Sequence, residues 1–411
     1  MKMRHVFVLI LLVMPFLSGC WSRTEINDLA VVTAVGIDKV ENDKIRVALQ
    51  LAIPRLLGPA GQGGGGGGGG QGIGSQAVWI VSEKGETIMD AYRNLQQKLP
   101  RKIFFSHSNI IVIGEPLARS GISPVLDFFT RYREVRMRNY IILTRGEALK
   151  IVKFSPKFEK IPAEIIREEV ELQIGPMSNV RDFVDMLMAE GVEPMASEIA
   201  LMPSNVTVGE ESAKRESPGK EETNLTINGA GIFKKDQLIG WMNVHESRGV
   251  LWLRNEINAG VITVPMPEDK GNGKVSVQFF RTNTKIKPIL KDDQLKIQVK
   301  VRADADLYEN SSKLDLSNPK AIQIVEQTLE EDIQNRIQSA LDKAQRKFKS
   351  DIFGFGREVE RAYPKEWENK FKERWDQEFP RLKVTITTDV TVLRTGLTNK
   401  SPLWEEKEFK K

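Results

Sequence analysis

Residues 317–351 read SNPKAIQIVEQTLEEDIQNRIQSALDKAQRKFKSD. Ile322, Val325, Leu329, Ile333, Ile337, Leu341, Ala344 and Phe348 recur every three or four positions, which sets them on one side of a long helix. Ser317 or Asn318 is placed to cap its first turn, and Pro319 suits that turn because its missing N–H is not needed there. Such a stripe is expected to pack on a sheet. The polar side carries too many acids for a membrane-adsorbed helix, and Glu330, Glu331 and Asp332 read as its solvated face.

Working outward, residues 274–290 (KVSVQFFRTNTKIKPIL) and 294–309 (QLKIQVKVRADADLYE) read as two long strands around Lys-Asp-Asp. Leu295, Ile297, Val299 and Val301 alternate with Lys296, Gln298, Lys300 and Arg302, so one face of the second strand should meet solvent. Beyond the helix, residues 353–379 carry Trp367, Phe371, Trp375 and Phe379 at every fourth position, expected to be core, and LKVTITTDVTVLRTG (382–396) closes as a strand. This half, opened by the hairpin TINGAGIFKKDQLIGWMNV (226–244), mixes strands and helices in order.

The polar run GEESAKRESPGKEETN (209–224) lacks apolar periodicity and marks a domain boundary. Before it, strands and helices interleave: strands in LAVVTAVGIDKVENDKIRVALQLAIP (29–54), SNIIVIG (108–114) and NYIILTRG (139–146), helices in KGETIMDAYRNLQQKLP (84–100), SPVLDFFTRYREV (123–135) and SNVRDFVDMLMAEGVEP (178–194). Within the first of these, Ile45, Val47, Leu49 and Leu51 alternate with Arg46, Ala48 and Gln50, which gives its second strand a cleaner buried face than its first. Gly63–Gly70 satisfy G-x-G-x-x-G trivially and no helix follows at the required place, so residues 58–76 are a Gly-rich loop and not a phosphate cradle. The expected fold class is α+β, two to three domains, each a mixed β-sheet flanked by helices. The divisions are a signal segment 1–19, an N-terminal α/β region 20–205, a linker 206–224, a C-terminal α+β domain 225–398 and a charged tail 399–411.

The N-terminus is the one place where the residues point to covalent chemistry. Lys2 and Arg4 precede an apolar run from Val6 to Leu17, about a dozen residues, where a membrane span needs roughly 20. Leu17, Ser18 and Gly19 then lead into Cys20, the single cysteine of the 411 residues. LSGC resembles the lipobox of bacterial lipoproteins, whose cysteine receives a diacylglyceryl group after signal-peptidase cleavage. Two acyl chains hold a protein on a bilayer where one of modest length does so only reversibly. A disulfide within the chain is excluded by the lack of a second thiol. Losing Lys2 and Arg4 takes the formal net charge from +5 to +3, and no dense basic block suggests nucleic acid.

No catalytic constellation appears. His107 and His245, the two histidines of the mature chain, fall in different expected domains, and with Cys20 committed to lipid no His/Cys metal set remains. There is no G-x-S-x-G elbow and no complete P-loop; DKGNGKVS lacks the first glycine. Neither a catalytic residue, a metal site nor a cofactor beyond the lipid on Cys20 is expected.

In order, GCWSRTEINDLAVVTAVGIDK (19–39), FSHSNIIVIGEPLARSGI (105–122), LDFFTRYREVR (126–136), SDIFGFG (350–356), PKEW (364–367) and LRTG (393–396) resemble the Ger(x)C family, the lipoprotein C subunits of nutrient germinant receptors of spore-forming bacteria. The likeness runs over essentially the whole mature chain. It implies a non-catalytic subunit on the outer face of the spore inner membrane, assembled with membrane-spanning A and B subunits, with separate domains each built on a sheet flanked by helices. It gives no ground for direct nutrient binding by this chain. The alternative from another class is a lipid-anchored extracytoplasmic solute-binding protein, disfavoured because the second half lacks repeated βα units. An extracytoplasmic hydrolase ranks third and lacks a recognisable site.

Overall fold

A computed structural model describes residues 28–54, 77–154, 161–171, 175–203, 223–257 and 260–396, with His5 and Glu25 singly. The signal segment with Leu17, Ser18 and Gly19, Cys20 itself, the Gly-rich loop 58–76, residues 206–222 of the expected linker and the tail 399–411 lie outside the described residues. The fold is mixed α/β on two sheets.

The first sheet has nine strands: β1 Leu29–Lys39, β2 Ile45–Ala52, β3 Val78–Gly85, β4 Lys102–Phe104, β5 Ile110–Gly114, β6 Tyr140–Thr144, β7 Met195–Pro203, β8 Thr223–Lys234 and β9 Gln237–Met242. Their order is β3-β2-β1-β5-β6-β7-β8-β9, with β4 also beside β1. The middle run β1-β5-β6-β7 is parallel, while β3-β2-β1 and β7-β8-β9 are antiparallel. A parallel centre needs cover on both faces, and the sequence supplies it by alternating two apolar sets. Ile111 and Ile113 turn to one face with helices α1 Ile88–Lys98, α2 Glu115–Ser120, α3 Ser123–Arg131 and α6 Val180–Met188. Ile110 and Val112 turn to the other with α4 Ala148–Val152 and α5 Pro162–Glu171.

This double cover buries both sides of β2, beyond the one buried face that the alternation marked. Ala48 and Gln50 are fully buried. The Gln50 amide is satisfied there: Thr33 Oγ1 donates to its Oε1 at 2.8 Å, Ala163 N–H donates to the same oxygen at 3.2 Å, and Nε2 donates to Val152 O at 3.0 Å. One buried polar side chain thus ties strand to α4 and α5, whose absence from the local pattern of β2 made it invisible.

The second sheet has order β10-β11-β12-β13, from β10 Gly260–Pro265, β11 Lys274–Lys291, β12 Gln294–Asn310 and β13 Lys383–Arg394. Asp292 and Asp293, at φ 47° and 60°, make the tight turn between the long strands, as a two-residue hairpin requires. β12 is buried at Ile297, Val299, Val301, Ala303 and Ala305 and exposed at Lys296, Gln298, Lys300 and Arg302, the alternation read from the sequence. The long helix is α8 Pro319–Asp342, capped by Asn318, whose Oδ1 accepts from Lys320 N–H at 3.0 Å. It crosses back so that β13 joins β12 in parallel.

The acids of α8 do more than face solvent. Val390 N–H donates to Glu330 Oε1 at 3.0 Å and Val392 N–H to Glu326 Oε1 at 2.9 Å, so helix side chains occupy the free edge of β13. Glu331 is exposed, and Asp332 pairs with Arg336 at 2.6 Å. Burial pushes the Glu326 carboxyl above its ordinary range. Covering an edge this way blocks pairing with a foreign strand.

The hairpin β8–β9, expected to open the C-terminal domain, hydrogen-bonds to β7 and completes the first sheet. Its two faces serve different cores: Phe233 and Leu238 pack with the first half, while Ala230, Ile232 and Met242 join the core of α7 Val244–Leu253, α8 and the second sheet. The polar run before it marks where the chain leaves the sheet, and composition carries no information on which strands it re-enters beside. Trp367, Phe371, Trp375 and Phe379 are buried in that same core. In a regular α-helix, positions four apart drift by about 40° each. Here wide turns at 367–371 alternate with tight ones at 372–374 and 379–381, which keeps the four rings on one side.

Candidate functional site

Where the two halves meet, the chain after α6 runs A-E-G-V-E-P over 189–194 and lies against residues 350–357, the stretch SDIFGFG with Arg357. Gly191, at φ 67°, and Gly356 touch backbone to backbone: a Cβ on Gly191 would sit 2.5 Å from Gly356 Cα, and one on Gly356 would sit 2.4 Å from Gly191 Cα. Only glycine at both positions allows this approach. Around it, Glu193 N–H donates to Asp351 O at 2.8 Å, Arg357 N–H to Gly191 O at 3.3 Å, and Ser350 Oγ to Phe233 O at 2.7 Å.

Asp351 is the hub of this junction and is 2% exposed. Its Oδ1 accepts from the N–H groups of Phe353 (3.2 Å), Gly354 (3.0 Å) and Phe355 (3.2 Å), and its Oδ2 from Gly356 N–H (2.8 Å) and Trp375 Nε1 (3.0 Å). Gly354 at φ 77° turns the backbone so that successive N–H groups converge on one carboxylate while α9 Phe355–Ala362 begins. Burial pushes the Asp351 carboxyl up to about 6, against the pull of those donors. With five N–H groups on two buried oxygens, this carboxylate holds a turn and has no free lone pair for a substrate. At the rim, Trp367 Nε1 donates to Glu190 Oε2 at 3.3 Å, and Lys372 beside Glu190, at 2.9 Å, holds that carboxyl below its ordinary range.

The GID segment does comparable work in the first half. Asp38 is buried, accepts from Ala148 N–H (2.6 Å) and Leu149 N–H (3.1 Å) at the start of α4, and pairs with Arg46 at 3.1 Å. In the middle, Glu115 accepts from Trp241 Nε1 at 3.2 Å, and Phe128, Phe129 and Tyr132 form an aromatic cluster with Tyr92 and Phe105. The motifs that carried the resemblance are thus tie points between elements distant in sequence.

A cleft of about 950 Å³ opens beside the junction, between the end of α7, the exposed faces of β11 and β12, and α9. Its walls hold the cations Arg254, Lys285, Lys287, Lys300, Arg357 and Arg361 against the acids Glu256 and Glu358. Arg254 pairs with Glu256 and Arg361 with Glu358. Lys285 and Lys300 face each other across the strands, a like-charge pairing that costs stability in an isolated sheet. The cleft is a cationic surface whose lining holds no His, Cys, Ser or Asp. Among the described residues no group of three or more His, Cys, Asp or Glu could hold a metal, and His107 and His245 are exposed and in separate places.

Of the site residues expected from the sequence, Cys20, Leu17, Ser18 and Gly19 lie outside the described residues, and β1 begins at Leu29. The Asp351 hub and the cationic cleft were not anticipated. An aspartate followed by glycines three and five residues later was the signal for the first; the second needs the strand register. No helix among the described residues is long and apolar enough to cross a membrane.

Comparison with known proteins accounts for both halves. Residues 22–201 match the model for the spore germination protein N-terminal domain, and residues 228–396 match the spore germination B3/GerAC-like C-terminal model. Spore germination protein KC of Bacillus subtilis is 30% identical over 406 residues, covering 95% of this chain and 96% of that protein. Spore germination protein YndF of the same organism is 26% identical over 408 residues, covering 95% and 96%. The crystal structure of the GerBC protein superposes with a TM-score of 0.52 at 19% identity, over 87% of this chain and 96% of that one, and shares the fold. The chain belongs to the GerAC/GerKC family of spore germination proteins.

Proposed function

We propose that this chain is the non-catalytic C subunit of a nutrient germinant receptor, anchored through a diacylglyceryl group on Cys20 at the outer face of the spore inner membrane. There it acts with membrane-spanning A and B subunits in assembly or signalling of the receptor during germination. The observation that supports this reading is coverage: spore germination proteins match 95% of the chain, and the two family models follow one another along it. The anchor confines the folded body to the membrane plane and raises its effective concentration near its partners. The cationic cleft is the surface we assign to an acidic segment of a membrane-spanning partner, on charge complementarity. Residues 1–19 serve as the signal segment and leave with cleavage after Gly19.

Affinity recovery of the tagged protein from detergent-solubilised spore membranes, with mass spectrometry of what accompanies it, tests the reading. Two membrane-spanning proteins, one transporter-like, should be recovered. The protein alone, under conditions that keep other membrane complexes intact, would overturn the subunit assignment.

A further inference from the structure

The end of the first sheet at which the chain arrives from Cys20 carries an apolar groove of about 450 Å³. It is formed by Leu29 at the start of β1, Leu51 and Ile53 at the end of β2, Trp79 at the start of β3, and Leu99 and Pro100 past the end of α1. Trp79 is 50% exposed although it pairs with the buried Leu51 across the strands. Arg101 lies on the rim, and Lys102 pairs with Leu29 in the β1–β4 ladder. At the opposite end of the same strands Asp43 pairs with Lys39 at 2.9 Å and Glu86 with Lys44 at 3.3 Å, so those charges are balanced within the protein. Nine residue steps separate Cys20 from Leu29, which limits their distance to about 30 Å even when fully extended.

We propose that this groove and Trp79 rest in the headgroup region of the phospholipid bilayer, making the body a docked and oriented subunit and not one swinging on a tether; the proposal rests on the anchoring of Cys20. An indole with one side on apolar residues and the other open suits the membrane–water boundary, where tryptophan is enriched. Arg101 on the rim faces anionic headgroups, while Lys102 next to it is held by Glu134 at 2.7 Å. Docking by this end leaves the second sheet and its cationic cleft free for protein partners.

The test uses the full chain, expressed with its own signal segment and with Trp21→Phe to remove the indole beside the anchor, in vesicles of phosphatidylethanolamine and phosphatidylglycerol with brominated acyl chains. Trp79→Phe in that background is the comparison, at an exposed site where folding is not in question. Docking predicts that bromine quenching falls at least twofold when Trp79 is replaced. Equal quenching in the two proteins overturns the proposal, as does a Trp79 signal that follows protein concentration instead of bromolipid, the mark of a second copy in the groove. Intact mass of the same preparation reports separately whether Cys20 carries lipid. If it does not, an N-terminal histidine tag on nickel-chelating lipid replaces the anchor, and the same comparison decides the docking.

Discussion

Replacing Asp351 separates two effects that its burial combines. Alanine removes both oxygens and leaves five converging N–H donors, at 2.8 to 3.2 Å in the wild type, without an acceptor. A buried donor left unpaired costs about 1–3 kcal/mol, so the five together put at least about 5 kcal/mol at stake. Against this stands relief from burying a charge. Even with those donors in place the carboxyl is raised from 3.8 to about 6, a net penalty on its charged form of about 3 kcal/mol at neutral pH. Asp351→Ala should therefore destabilise by several kcal/mol at pH 7. Asp351→Asn keeps one accepting oxygen, drops the charge and strands two or three donors, so its cost and its relief nearly cancel and it should be far milder.

The pH dependence has a definite sign. A carboxyl raised in the folded state contributes stability that is fully present below the unfolded value near 4 and is lost as pH rises through about 6. All other carboxylates are common to wild type and Asp351→Asn, so their stability difference isolates this group. Urea unfolding from pH 4 to 7, followed by the emission of buried Trp367 and Trp375, should show wild type losing up to about 3 kcal/mol relative to the asparagine variant. An asparagine variant as damaged as the alanine one, or a gap that moves in favour of wild type as pH rises, would refute the reasoning: the five donors would then outweigh burial.

Three further outcomes follow from other contacts. Gly356→Ala sets a methyl 2.4 Å from Gly191 Cα, where only backbone can yield, and should cost about 3 kcal/mol or more in urea unfolding. Lys285→Glu with Lys300→Glu should leave the unfolding midpoint within about 0.5 kcal/mol of wild type, since both sites are exposed, yet abolish recovery of membrane partners. Glu326→Ala with Glu330→Ala frees the N–H groups of Val390 and Val392; a loss of about 1 kcal/mol per site and faster aggregation by light scattering are expected.

What could be read from the sequence was whatever repeats along one element. The stripe from Ile322 to Phe348 marked α8, the alternation from Leu295 to Arg302 marked a strand with one wet face, and Trp367 to Phe379 marked core; each is a local periodicity set by one neighbour. Elements with two neighbours defeated that logic. The burial of Gln50 has no signal in its own strand, because its acceptor and donors belong to α4, α5 and Thr33. The β8–β9 hairpin pairs with β7, which ends some twenty residues earlier at Pro203, a partner that no pattern local to the hairpin names. Asp351 carried no periodicity, and its partners converge only once Gly354 turns the chain.

The same distinction bears on how a family can share a fold at 19% identity. Apolar positions in a sheet can exchange Ile, Val and Leu at little cost so long as volume is kept. A carboxylate that gathers five N–H groups, a glycine pressed on another backbone, or an aspartate that starts a helix 110 positions away has no such substitutes. GID, SDIFGFG and PKEW, three of the pieces that carried the resemblance, sit where elements are tied together. They lie at tie points: Asp38 on α4, Asp351 and Gly356 on the turn after α6, and Trp367 on Glu190. Three of these contacts join the two halves matched by separate family models, so motif and function meet in one requirement. Under the function proposed above, with a membrane-facing end and a partner-facing sheet, those halves need to be held as one body.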